Sequence, residues 1–366
     1  MVYAPLTRCR ALGTVPCEGA QKYYKQRALK GGLMITEATT VSATGHGYPN
    51  TPGIFRKDQV NAWGPIVSGV HEAGGVFFVQ LWHVGRASHP DYQPGGAQPL
   101  SCSDVPIPAP FKCLRADGSM AAYPVPRPLT KEEIQELVQA FADAAENAIK
   151  AGFDGVEIHG ANGYLIEQFF RKTCNKRTDD YGGSIPNRCR FCLEIVKAVT
   201  ARIGADRVGL RLSPYGAFLH GSLDDEVEEL VTYLVKELAK LKLVYLHCVE
   251  PRAQGHASVE PPPGQDLQKF RKVWPGPFLA AGGYNKHSGD VAIEDGTADL
   301  ITYGRFWLST PDLPERFAKG APINHYDRNT FYSTDPVKGY SDYPFLDEIP
   351  KDTPTYMHYS GMEMFK

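Results

Sequence analysis

A rhythm constrains this chain more than any single motif. Short apolar runs rich in Val, Ile and Leu alternate with stretches of helical spacing, and the alternation recurs eight times. Residues 2–5 (VYAP) read as the first strand, and a helical stretch over 18–29 leads through Gly31 and Gly32 to the apolar run LMITEATTV at 33–41. Helical spacing over 60–73 stops at Gly74 and Gly75, and VFFVQLW at 76–82 is a third buried strand. Thr130 and Glu133 are spaced as a capping box. They precede Ile134, Leu137, Val138, Phe141, Ala145 and Ile149, one apolar helical face that Gly152 ends. GVEIHGANGYL at 155–165 opens with strand four, where the β-branched Val156 and Ile158 alternate with Glu157. The remaining helix–strand pairs are 186–203 with VGLRLS (208–213), 224–240 with LVYLHCV (243–249), 265–274 with PFLAAGG (277–283), and 286–294 with LITYGR (300–305). Strands that are apolar on both faces need cover on both faces. Repeated right-handed β-α crossovers then close most simply as a TIM (β/α)8 barrel of the α/β class. A doubly wound open sheet is the competing arrangement, but no G-x-G-x-x-G follows the first strand to support its Rossmann form.

The chain is expected to form one domain over 1–366, with two departures from the rhythm. Residues 83–128 are rich in Pro and Gly and too long for an ordinary connection, so they are expected to form an excursion over the active-site mouth. A tail over about 325–366 follows the last barrel unit. A formal net charge of −2 gives no nucleic-acid footprint and no polybasic membrane patch, which points to a small-molecule partner. The eight cysteines are scattered in a chain without a signal-peptide pattern, as expected of free thiols in the cytoplasm. Cys189 and Cys192 form a C-x-x-C inside a helical pattern with no second pair, so no metal is expected.

Unusual polar residues fall at the strand ends: Thr7 after strand one, Glu37 two, Gln80 three, His159 four, Arg211 five and Arg305 eight. The mouth at the C-terminal ends of barrel strands gathers such residues around one ligand. Gly282, Gly283 and Gly304 let backbone N–H groups approach an anion, and Arg305 can fork two phosphate oxygens. Gln80 and Arg211 can hydrogen-bond a heterocycle, so the set suits a flat, phosphorylated cofactor. His159 and Asn162 can both donate toward one oxygen, and Tyr164 is a neutral acid at pH 7. Such a set suits a carbonyl whose oxygen gains negative charge.

The motifs APLTRCRA, HGYPNTPGI, VQLWHVGRAS, GVEIHGANGYL, KRTDDYGGSIPNRCRF, VGLRLSPYG, VEPR, AAGGY, YGRF, YDRNTFY and GYSDYPFL run in order along nearly the whole chain. Together they resemble the old yellow enzyme family of FMN-dependent ene-reductases, particularly its plant-type 12-oxophytodienoate reductase branch. Asn162 stands where that branch commonly has a second histidine. The resemblance implies that Pro5, Leu6, Thr7 and Ala38 line the flavin and that Gln80 and Arg211 hold its pyrimidine edge. It further implies that Gly282, Gly283, Gly304 and Arg305 hold the FMN phosphate. His159 and Asn162 would bind the substrate carbonyl, Tyr164 would give the proton, and Tyr48, Phe331 and Tyr332 would shape the pocket. The implied reaction is ping-pong: NADPH reduces FMN, and an α,β-unsaturated carbonyl compound, such as a cyclic enone or an oxylipin, is reduced at its C=C bond. A monomer or homodimer is expected. Relatives usually carry some tens of residues before APLTR, including a hairpin under the barrel. The competing expectation is therefore a degenerate barrel whose truncated first strand cannot hold FMN.

Overall fold

The computed structural model describes residues 1–254, 257–258, 260–261, 263–349 and 355–356. Eight strands form its centre: β1 Val2–Tyr3, β2 Leu33–Ile35, β3 Val76–Trp82, β4 Gly155–Gly160, β5 Val208–Leu212, β6 Tyr245–Val249, β7 Phe278–Ala281 and β8 Leu300–Tyr303. Each pairs in parallel with the next. Val2 and Tyr3 also pair with Thr302 and Tyr303, which closes the ring. The chain is thus a single-domain (β/α)8 barrel, and its two-residue first strand suffices for closure.

Side chains that alternate along a strand fill the barrel in layers. Val2, Ile35, Phe78, Tyr245 and Leu279 form an apolar plug. Glycine on two neighbouring strands makes room for its rings: a Cβ on Gly155 would lie 2.5 Å from Phe78, and one on Gly209 would lie 2.2 Å from the Tyr245 ring. Two residues further along, the strands present Gln80, Glu157, Arg211 and His247, all buried. Two further still stand Trp82 and His159 at the mouth. Polarity therefore rises from plug to mouth.

Around the strands lie α1 Gly19–Arg27, α2 Lys57–Glu72, α3 Lys131–Ala151, α4 Leu165–Phe170, α5 Ile185–Ile203, α6 Val227–Ala239, α7 Gln268–Arg271, α8 Lys286–Glu294, α9 Arg305–Ser309 and α10 Leu313–Lys319. The capping box at α3 forms as expected, with Thr130 Oγ1 accepting the Glu133 N–H at 3.2 Å and the Glu133 carboxylate accepting the Thr130 N–H at 2.8 Å. Gly152 ends the helix at φ +102°, a conformation that side chains with a Cβ avoid.

Several boundaries differ from expectation. The run 33–41 is not one strand: it breaks after Ile35 and resumes as a short strand, Thr39–Thr40. Thr36 and Thr39 hydroxyls both donate to the Glu37 carbonyl, at 2.8 and 2.9 Å, and so replace ladder bonds with local ones. The helical run 265–274 contracts to the four residues of α7, because Val273 and Trp274 turn to i→i−3 bonds. Strand one ends at Tyr3, so Thr7 lies in the following loop, and Arg305 begins α9 rather than ending β8. The excursion 83–128 carries structure of its own, a hairpin of Lys112–Leu114 with Met120–Ala122 and a parallel pair of Leu100–Ser101 with Arg127–Pro128. Of the tail 325–366, residues 350–354 and 357–366 lie outside the described residues.

Candidate active site

His159 is 4% exposed, and its Nδ1 accepts the Ala161 N–H at 3.3 Å. Burial, reinforced by the Arg211 charge, lowers its pKa to about 3, so the ring is neutral. With Nδ1 accepting, the remaining proton sits on Nε2, which makes no hydrogen bond to the described residues. A neutral histidine with a free donor results.

The chain then turns through Asn162 and Gly163, both left-handed, at φ +57° and +80°. The Asn162 side-chain amide makes no hydrogen bond to the described residues. Tyr164 follows as the N-cap of α4. Its ring meets His159 edge-on at 5.2 Å and Trp82 at 4.9 Å, and its hydroxyl lies 3.2 Å from that of Tyr48. Burial pushes the Tyr164 pKa further above that of a free phenol, so it is a neutral donor at physiological pH. Tyr48 stacks on Trp82 at 5.8 Å, and Tyr123, which the excursion supplies, packs in the same cluster.

Below this group, Glu157 gathers the polar layer. Gln80 Nε2 donates to its Oε1 at 2.7 Å and His247 Nδ1 to its Oε2 at 2.8 Å. Burial opposes ionisation of Glu157, yet His247, Arg211 and Gln80 outweigh it and hold the carboxyl below its usual range. Arg211 is 9% exposed, and its Nε has no hydrogen-bond partner among the described residues. A buried cation with an unsatisfied N–H is costly alone and suits an electron-rich ligand.

At the β7 and β8 ends, Gly282 and Gly283 have φ of +124° and +68°. A Cβ on Gly282 would lie 2.9 Å from Ala253, and one on Gly304 would lie 3.4 Å from Leu6. Arg305 sits above the Tyr326 ring, with Cζ 5.9 Å from its centroid. Pro5, Leu6 and Thr7 are half-buried, and the Thr7 hydroxyl makes no hydrogen bond to the described residues. Ala38 packs in one cluster with Trp82 and Tyr164.

The structure brings Tyr48, His159 and Tyr164 together directly. Phe331 instead packs against Tyr326 at 5.8 Å and Tyr332 at 6.4 Å, and Tyr332 is 50% exposed. Glu37 is not on the mouth's donor list: it accepts the Arg8 N–H at 3.1 Å and props the loop after β1. Sequence reasoning missed Arg8 and Arg10, whose guanidiniums bind the carbonyls of Thr330, Phe331, Asp335, Lys338 and Gly339 and so moor the tail. Their only signal was two arginines beside Thr7. It also missed Glu157, a charged residue two places before His159 on the same strand face. The described cysteines are free, with Cys189 and Cys192 buried in α5. Among the described residues no cluster of His, Cys, Asp or Glu is arranged for a metal, and no helix is long and apolar enough to cross a membrane.

Residues 1–324 match the model of the NADH:flavin oxidoreductase / NADH oxidase family. The chain belongs to that family. It is an FMN-dependent oxidoreductase of the old yellow enzyme group. A rice (Oryza sativa subsp. japonica) relative described as putative 12-oxophytodienoate reductase 5 is 51% identical, covering 95% of this chain and 91% of its own. Rice 12-oxophytodienoate reductase 1 is 50% identical, covering 97% and 91%. Among solved structures, morphinone reductase superposes with a TM-score of 0.89 at 42% identity, over 94% of this chain and 92% of its own. The old yellow enzyme homologue of Zymomonas mobilis also has a TM-score of 0.89, at 39% identity over 94% and 95%. Morphinone reductase has also been solved in complex with tetrahydroNAD.

Proposed function

We propose that this oxidoreductase reduces the C=C bond of α,β-unsaturated carbonyl compounds, cyclic enones and 12-oxophytodienoate-like oxylipins among them, with NADPH as reductant. The observation that carries the reading is one strand end with two unspent donors, His159 Nε2–H and the Asn162 amide, beside a half-buried neutral phenol, Tyr164.

The residues present fit FMN. Among the described residues the buried Arg211 Nε has no hydrogen-bond partner and the Thr7 hydroxyl is unspent, and Gly282 and Gly283 hold the left-handed backbone that turns the chain at the end of β7. Gln80 and Arg211 would hold the pyrimidine edge, Pro5, Leu6, Thr7 and Ala38 would line the ring, and Gly282, Gly283, Gly304 and Arg305 would hold the phosphate. Bound FMN supplies the hydride chemistry, accepting from the nicotinamide and donating to the substrate β-carbon in separate half-reactions. His159 and Asn162 would polarise the substrate carbonyl and stabilise the negative charge that develops on its oxygen. Tyr164 would hand its phenolic proton to the α-carbon. Its neighbour Tyr48 can donate to the phenolate oxygen left behind, and Phe331 and Tyr332 on the tail would bound the outer pocket.

The test is direct. Purified protein should be yellow, bleach anaerobically with NADPH, and recover colour on addition of 2-cyclohexenone or a cyclopentenone fatty acid. Parallel reduction with NADH measures the nucleotide preference. A colourless protein that cannot be reconstituted with FMN would favour the degenerate barrel, and reduced flavin indifferent to every enone would reject the substrate class.

A further inference from the structure

Asn162 and Gly163 are consecutive left-handed residues, and the first carries a side chain. Left-handed backbone costs a non-glycine residue energy, and asparagine tolerates it better than most. Something must hold the turn. The Asn162 N–H donates to Ser213 Oγ at 2.7 Å, and the Gly163 N–H donates to Glu167 Oε2 at 2.6 Å. The Ser213 hydroxyl in turn donates to the Glu167 carboxylate, with Oε1 and Oε2 at 3.1 and 3.0 Å. One carboxylate from α4 and one hydroxyl just past β5 therefore grip both N–H groups of the turn that ends β4.

Glu167 is 2% exposed and needs a counter-charge, which Arg171, one turn along, supplies through a direct ion pair. Arg171 Nη2 also reaches the carbonyls of Ser213, Pro214 and Gly216 at 3.1 to 3.3 Å, which ties the carboxylate to the loop that carries Ser213. His220 Nε2 lies 3.7 Å from Glu167 on the other side. The turn has no slack, since a Cβ on Gly163 would fall 2.6 Å from the Phe218 carbonyl and 2.7 Å from Leu219.

We propose that Ser213 and Glu167 are positioning residues, which hold Asn162 in its left-handed conformation and thereby aim its amide at the substrate oxygen. Neither needs to touch the substrate. The inference rests on the function proposed above, in which Asn162 is one of two donors to the carbonyl. A purely structural role would affect folding and flavin uptake alike; a positioning role acts through Asn162.

The experiment is a phenol titration of the FMN-loaded protein, followed by the flavin absorbance change, with 4-chlorophenol as a stand-in for the substrate oxygen. Ser213→Ala should weaken phenol binding roughly tenfold, the scale of one lost hydrogen bond, with FMN affinity within about twofold of wild type. Ser213→Thr, which keeps the hydroxyl, should restore it. In an Asn162→Ala background, Ser213→Ala should cost less than about twofold more, because the donor it positions is gone. Losses that multiply in the double variant, parallel loss of FMN affinity, or an unchanged phenol Kd in Ser213→Ala would each overturn the inference. If Ser213→Ala does not fold, Glu167→Gln carries the same test: it keeps the volume but replaces one acceptor oxygen by an NH2 that cannot accept. Wild-type protein that takes up FMN yet binds no phenol would instead reject the carbonyl site itself, whatever the variants do.

Discussion

Tyr164 shows how much a single side chain takes from its surroundings. A free phenol is already a poor acid at neutral pH, and burial raises its pKa further, so it gives up a proton only to a strongly basic carbon. Tyr164→Phe keeps the ring against Trp82 and His159 and removes only the hydroxyl. Flavin reduction by NADPH should persist while enone reduction falls about 10²- to 10⁴-fold, as rapid mixing of each half-reaction would measure. Equal slowing of both would remove Tyr164 from the role of donor. His159, Asn162 and Tyr164 were legible in the sequence because six consecutive residues carry all three. Ser213 and Glu157 were not: each matters through a partner some tens of residues away, Asn162 for one and Gln80 and His247 for the other.

Elements were read best where local chemistry decides them. The capping box of α3 was visible as Thr130 and Glu133, and the helix runs from Lys131 to the left-handed Gly152. Thr130→Ala should lower the unfolding free energy by about 1 kcal/mol, in the usual range for an N-cap, without altering flavin uptake. A loss too small to detect by urea denaturation would mean that Glu133 and Arg127, paired at 2.7 Å, hold the helix start alone. Where neighbours decide, local reading failed. The strand 33–41 breaks because Thr36 and Thr39 bond to the Glu37 carbonyl, and that break lets Ala38 pack near Trp82 at the mouth. Helix α7 is short for a similar reason, since Arg271 Nη1 binds the carbonyls of Trp274 and Gly276 at 3.1 and 3.2 Å and draws the chain into a tighter turn.

The whole molecule buries ionisable groups whose protons report on folding. Burial lowers the pKa of His46 to about 4 and those of His83 and His159 to about 3, whereas unfolded histidines titrate near 6.5. Burial also raises Glu37 to about 7, from 4.5. At pH near 5.5 the unfolded chain therefore binds up to three more protons at the histidines and one fewer at Glu37, a net uptake of about two on unfolding. His220 and His247, also held neutral by burial, add to it. Stability contributed by the neutral histidines is complete above pH 6.5 and is lost as pH falls toward 3, whereas the Glu37 contribution is complete below 4.5 and is lost as pH rises through 7. The histidines win, so stability should fall by about 2 to 3 kcal/mol for each pH unit between 6.5 and 5. Unfolding midpoints measured across that range should drop steadily, and a flat or rising profile would contradict the burial of these rings. What the sequence determined by itself was the eightfold rhythm, the closed barrel it implies and the identity of the residues at the strand ends, because apolar periodicity and strand alternation are local properties. Only the tertiary structure decided which of those ends cooperate: closure sets Glu157 of β4 beside Gln80 of β3 and His247 of β6, and Ser213 beside Asn162. Buried polar groups must find partners wherever the folded chain brings one within reach, and no local pattern encodes that reach.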